Sequence, residues 1–161
     1  MADDKLEIIN PPNALKQKVG IGGAGAVDLE ALERAEQVIA GMTDSYLEWV
    51  VEDLKKIEQA YLALASARGD KKEEVKAVFQ ISHDIKGQGG SFGYDLMTAI
   101  GNELCRLIEK ADKVGASEIA AIKLHIDALK LVITEDLKGN GGKEGEQMLS
   151  GLQKVCDKLL V

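Results

Sequence analysis

Between Ser45 and Ala67, the residues Leu47, Val50, Leu54, Ile57, Tyr61 and Leu64 recur alternately three and four positions apart, and this pattern constrains the fold more than any other in the chain. At 3.6 residues per turn such spacing lines one helical face over several turns, a seam that is buried by packing against other helices. The chain has only two prolines, Pro11 and Pro12, so no proline downstream interrupts a long helix. Ser45 with Glu48 reads as a capping box opening this helix, and Gly69 as its stop.

The same periodicity recurs along the chain. Asp28 can cap a short helix through about Met42, with Leu29, Leu32, Ala35 and Val38 or Ile39 facing inward. Asp70 and Glu73 form a second capping box, ahead of a helix marked by Val75, Val78, Phe79, Ser82 and Ile85. The short connection at Gly69 makes this helix an antiparallel neighbour of the one before it. Leu96, Ile100, Leu104, Leu107, Ile108 and Ala111 define a further helix that stops near Gly115, and Ser117 caps the next. That one carries Ile119, Ile122, Ile126, Leu129 and Ile133 on one side, with Leu124 and Leu131 well round from them. Two stripes imply burial on two sides, and Met148, Leu152, Val155 and Leu159, beyond the turn at Gly139 to Gly142, supply a cover.

Residues 1–27 read as a flexible arm, broken by Asn10-Pro11-Pro12-Asn13 and jointed at Gly20 to Gly25. Its GIGGAG formally matches a dinucleotide fingerprint, but ALKQKV upstream is a poor strand, and the match is rejected. Residues 28–161 are expected to form a single all-α domain. A net charge of −7 argues against a nucleic-acid backbone as partner, since phosphates are held by clustered Lys and Arg. No apolar run approaches the length of a membrane span, and the chain shows no secretory signal. Cys105 and Cys156 fall in helical patterns rather than at metal-ligand spacing, so reduced thiols in a soluble, cytoplasmic protein are the expectation.

The chemistry concentrates in Asp70 to Tyr94, DKKEEVKAVFQISHDIKGQGGSFGY. At about 100° per residue His83 falls off the centre of its helix's apolar stripe, which puts the ring at the margin of the core or in solvent. Lys86 follows at i+3, and Gly87 and Gly90 stand at i+4 and i+7, where side chains lean back over the preceding turn and would crowd the imidazole. Each interior helix glycine costs roughly 1 kcal/mol relative to alanine, so the cluster needs a reason. Access for a bulky partner is one reason. The other is a helix that ends near Gly87, with the glycines in a loop, and the spacing alone leaves both open.

His83, Ile85, Lys86, Gly87, Gly89, Phe92 and Gly93 resemble the H-x-[IL]-K-G-x-[GSA]-x-x-[hydrophobic]-G signature of histidine-containing phosphotransfer (HPt) domains, here a stand-alone one of bacterial two-component phosphorelays. The resemblance implies an antiparallel up-down four-helix bundle, with its core at about 45–138, to which the residue patterns add an accessory N-terminal helix and an additional C-terminal helix at about 143–160. It implies that His83 accepts a phosphoryl group from a receiver-domain aspartate and passes it to another receiver. Gly87 and Gly93 stand at glycine positions of the signature, and Gly87 and Gly90 are the access glycines of the helical spacing. Imidazole is a good nitrogen nucleophile, and a lysine one turn away, Lys86, could offset the charge of the transferred group. The partners implied are response-regulator receiver domains, and the resemblance also admits a hybrid histidine kinase. Mg²⁺ would sit on the receiver, leaving this chain, a monomer and not an enzyme, with no metal, nucleotide or cofactor of its own.

In many HPt domains a Gln or Glu on the next helix hydrogen-bonds the histidine. A gapless count puts Cys105 at that position, so the ring's orientation would fall to Asn102, water or backbone. His125, beside the inward stripe of its helix, is assigned no function. The His83-Asp84 dyad of metal-dependent phosphohydrolases needs further ligands, and only one other histidine exists. Tyr46 and Trp49 sit outside the main seam of their helix and could contact the accessory helix. The alternative to a phosphoryl carrier is a helical-bundle module that binds a receiver or kinase without taking up phosphate.

Overall fold

The computed structural model describes residues 28–161, and the arm expected over residues 1–27 lies outside the described residues. Those described fall into two units divided after Val38. The first contains most of α1 (Leu29–Gly41), whose N-terminus is capped by Asp28 as expected, the Ala31 amide donating to Asp28 Oδ1 at 3.1 Å. No residue of α1 is buried, so Leu29, Leu32 and Ile39 form a stripe without being inward-facing.

The second unit is all-helical: α2 (Thr43–Ser66), α3 (Lys72–Gln88), a 3₁₀ turn (Gly89–Phe92), α4 (Asp95–Lys110), α5 (Ala116–Thr134) and α6 (Gly142–Leu159). Helices α2 to α5 pack each against the next in chain order, and α5 closes the ring against α2, which makes a four-helix bundle with α6 laid against α4 and α5. The seam that opens the sequence argument is the core: Val50, Leu54, Ile57 and Leu64 are buried against Val78, Ile85, Ile100, Leu104, Ile122, Ile126 and Leu129. Among the described residues no helix is long and apolar enough to cross a membrane.

Helix starts differ from the sequence expectation by one to three residues, in line with how weakly local signals define ends. α2 begins at Thr43, so Ser45 lies inside its first turn rather than capping it. α3 begins at Lys72, whose amide donates to Asp70 Oδ1 at 3.2 Å, a cap without the reciprocal Glu73 bond. At α5 the Gly115 amide donates to Glu118 Oε2 at 2.8 Å, and Ser117 sits within the first turn.

Two packing expectations are corrected. Leu124 and Leu131 remain 47% and 44% exposed, lining an open groove with Met148, Gly151 and Leu152 of α6, while Cys156 of α6 meets the buried His125. Tyr46 is fully buried, not off the seam. Its ring stacks on Phe92 with centroids 4.5 Å apart and lies 5.6 Å from Tyr94, while Trp49 meets Phe92 edge-on at 6.5 Å. Tyr46 and Trp49 therefore both serve the turn that follows α3.

Candidate phosphoacceptor site

The site is built on the C-terminal half of α3, which continues through Gly87 to Gln88 before tightening into the 3₁₀ turn. This divides the alternative left open by the spacing: Gly87 is the penultimate residue of the α-helix, whereas Gly89 and Gly90 fall in the 3₁₀ turn that follows and Gly93 ends it. His83 is exposed, while Ser82 and Ile85 on either side are buried, so the off-stripe position read from the periodicity is the one observed. A Cβ built on Gly87 would meet nothing within 4 Å, leaving the space at i+4 open. The ring's aromatic neighbour is Phe79, one turn back on α3, with centroids 6.1 Å apart and the planes tilted by 38°.

Gly90 and Gly93 act differently from Gly87. Because the α-helix ends at Gln88, Gly90 no longer stands at an α-helical i+7 from His83. A Cβ there would sit in ordinary contact, 3.5 Å from Asp95 Oδ1 and 3.6 Å from Thr98 Oγ1. Its amide instead donates to Thr98 Oγ1 at 2.9 Å. Gly93 has φ +82°, a left-handed conformation that any other residue adopts only with strain, and its carbonyl accepts from Gly139 at 2.6 Å. It reverses the chain between the 3₁₀ turn and α4.

Lys86 is half-buried where α4 crosses α3. Thr98 Oγ1 donates to the Lys86 carbonyl at 3.0 Å, so a single hydroxyl ties both α3 and the turn to α4. The close approach depends on Gly101, where a Cβ would lie 3.0 Å from Lys86 Cβ and 3.1 Å from its Cα. Gly89 plays the same part in the turn, a Cβ there falling 2.8 Å from both Met97 Cβ and the Tyr94 carbonyl. The sequence reading assigned no role to Thr98 or Gly101. The available signal was Gly101 itself, an interior helix glycine whose cost of about 1 kcal/mol demands a packing reason.

Cys105 is buried on α4, and burial pushes its thiol above the usual range, opposed by the nearby Lys86 charge. His125 is fully buried. Its Nδ1 lies 2.7 Å from the Ala121 carbonyl, which can only accept, so Nδ1 carries the proton and Nε2 faces Cys156 Sγ at 3.5 Å. Desolvation holds His125 below the ordinary histidine value, which favours this neutral form. Among the described residues no group of three or more His, Cys, Asp or Glu side chains is placed to hold a metal ion.

The imidazole is thus exposed on a four-helix bundle, uncovered at i+4 and followed by a lysine at i+3, an all-helical domain with one histidine open to solvent and the other buried. The chain belongs to the Hpt domain family, whose model matches residues 41–133, covering the bundle and leaving α6 outside. Membership in that family ties the chain to histidine phosphotransfer in phosphorelays, where such domains interact with receiver domains and histidine kinases. Comparisons with curated proteins and with solved structures gave no match.

Proposed function

We propose that His83 is the phosphoacceptor of a relay, taking a phosphoryl group from a receiver-domain aspartate and passing it to a second receiver. The observation that carries this reading is the exposed His83 ring at the motif position, with empty space where a Gly87 side chain would stand. The unprotonated ring nitrogen attacks phosphorus in line, the P–N bond forms as the P–O bond breaks, and the aspartate leaves as a carboxylate with the bonding pair. Transfer onward is the same exchange in reverse on another receiver. Lys86, one turn away, offsets the charge of the phosphoryl group, and in-line placement supplies most of the rest.

Mg²⁺ belongs to the receiver in this scheme, and the chain works as a cytoplasmic, monomeric carrier without nucleotide, metal or catalysis of its own. Two buried free thiols, Cys105 and Cys156, suit a reducing compartment. The test is incubation with a panel of phosphorylated receiver domains. Label should appear on the protein as an acid-labile, alkali-stable bond and be absent in His83→Gln. Stable receiver binding without label, where another HPt domain takes label, would instead make the chain a binding module.

A further inference from the structure

Below His83 on the same helix the bundle opens into a groove of about 660 Å³, between the first half of α3 and the end of α4 with its following loop. Val75, Phe79 and Ile108 are among the apolar residues lining it, and Lys71, Lys72, Lys76 and Lys113 contribute four positive charges. Against them stand the three carboxylates Asp70, Glu109 and Asp112, so the lining carries a net charge of +1 on a chain whose total is −7. Its sign is the reverse of the molecule's. Phe79 belongs to both places, lining the groove with the same ring that stands 6.1 Å from the imidazole.

We propose that this groove is the specificity half of the receiver-binding surface, taking a receiver segment that presents apolar side chains flanked by carboxylates. The inference rests on the carrier reading of His83 and adds a docking site to it. Lys76 and His83 are seven residues apart on α3, about 10 Å at 1.5 Å per residue. A standard interface buries about 800 Å² per partner, a patch some 30 Å across. A receiver interface of that size centred on His83 reaches the near end of the groove at Phe79 and Lys76. Lys72 is paired with Asp70 at 3.4 Å, which leaves Lys71, Lys76 and Lys113 to meet the carboxylates of an acidic segment, and complementarity of this kind governs encounter and partner choice.

The experiment uses the full chain and two phosphodonors: phosphoramidate, too small to need docking, and whichever receiver of the panel labels His83 fastest. Lys76→Glu combined with Lys113→Glu should raise the receiver concentration giving half-maximal transfer by about tenfold or more, with phosphoramidate labelling retained. Lys143→Glu, the same charge change on α6, should leave the receiver dependence at the parental value. An unaltered receiver dependence in the double variant overturns the proposal, as does an equal loss in Lys143→Glu. If phosphoramidate labels His83 and no receiver does, the docking proposal falls while His83 stands as a phosphoacceptor. If neither donor labels His83, the carrier reading itself fails. Concentration-dependent self-association of the parent that the double variant abolishes would seat a second copy in the groove and overturn the receiver as its occupant.

Discussion

His83 and His125 occupy helices of one bundle and differ in almost everything around them. His83 is exposed, with an aromatic neighbour on one side and open space at i+4. His125 is sealed between α5, α4 and α6, its Nδ1 bonded to a backbone carbonyl and its Nε2 against a thiol. One ring is open to solvent; the other is held on both nitrogens and closed off. Exposure here is a property of the site rather than of the residue type, and the open face of α3 can be set against the closed interior by substitution.

The largest effect is on phosphoryl uptake. His83→Gln should take up no label from a phosphorylated receiver, while His125→Gln should be labelled at the parental rate per folded molecule. Burying a Gln side chain in the His125 site leaves an amide without matching partners, which costs about 1 to 3 kcal/mol, read as a lower denaturation midpoint. Label retained in His83→Gln would erase the functional side of the comparison.

Glycines sharpen it next. Gly101→Leu drives a side chain into the backbone of Lys86, where even Cβ lies 3.0 to 3.2 Å from Lys86 atoms, and should destabilise by about 2 kcal/mol or more. Gly87→Leu meets nothing, so it should keep or gain up to about 0.8 kcal/mol of stability through helix propensity. Yet Gly87→Leu should slow transfer, because its side chain leans over His83. Urea melts of the two variants, paired with transfer rates, separate packing from access. A Gly87→Leu protein that exchanges phosphate at the parental rate would show that the open space serves no partner.

How much of this was legible beforehand follows from the range of the forces involved. The exposure of His83 could be read from the sequence because it depends on angle around one helix, and the period of 3.6 carries that information locally. The core seam from Val50 to Leu64 was legible for the same reason. Thr98 and Gly101 were not, since their roles exist only once α4 lies across α3, and no local pattern states which two residues a crossing brings together. Tyr46 was misplaced on similar grounds: its partners Phe92 and Tyr94 lie in a turn whose path is fixed by the left-handed Gly93. The second stripe of α5 was over-read: Leu124 and Leu131 line an open groove beside α6 and stay 47% and 44% exposed.

Acid tests the closed side. His125 is held below its unfolded value by desolvation, so the unfolded chain binds the proton more readily than the native one. Its contribution is fully present above the unfolded pKa of about 6.5 and is lost as pH falls from there through the depressed native value. Of the charged groups nearby, Glu103 opposes the shift and Arg106 adds to it. Between pH 7.5 and pH 5 the parent should therefore lose thermal stability more steeply than His125→Gln, whose site cannot titrate. Equal slopes would mean that the buried imidazole does not report on acid unfolding.

The smallest effect concerns whether the interior is as fully satisfied as His125 suggests. Tyr94 and Tyr46 are both buried near the turn after α3, and both phenols are pushed up to about 12, in each case chiefly by burial. Tyr94 donates its hydroxyl to Asp136 Oδ1 at 2.6 Å, tying the turn to the loop after α5. Tyr46 Oη is buried with no hydrogen-bond partner among the described residues. Removing a bonded hydroxyl forfeits that bond and strips a carboxylate of a donor, so Tyr94→Phe should cost about 1.5 to 3 kcal/mol. Removing an unbonded one relieves a desolvated polar atom and keeps the ring stacked on Phe92, so Tyr46→Phe should be neutral or stabilising by up to about 1 kcal/mol. Chemical denaturation of the two single variants decides it. A Tyr46→Phe protein as destabilised as Tyr94→Phe would mean that its hydroxyl finds a partner in solution, making the interior as fully bonded around Tyr46 as it is around His125.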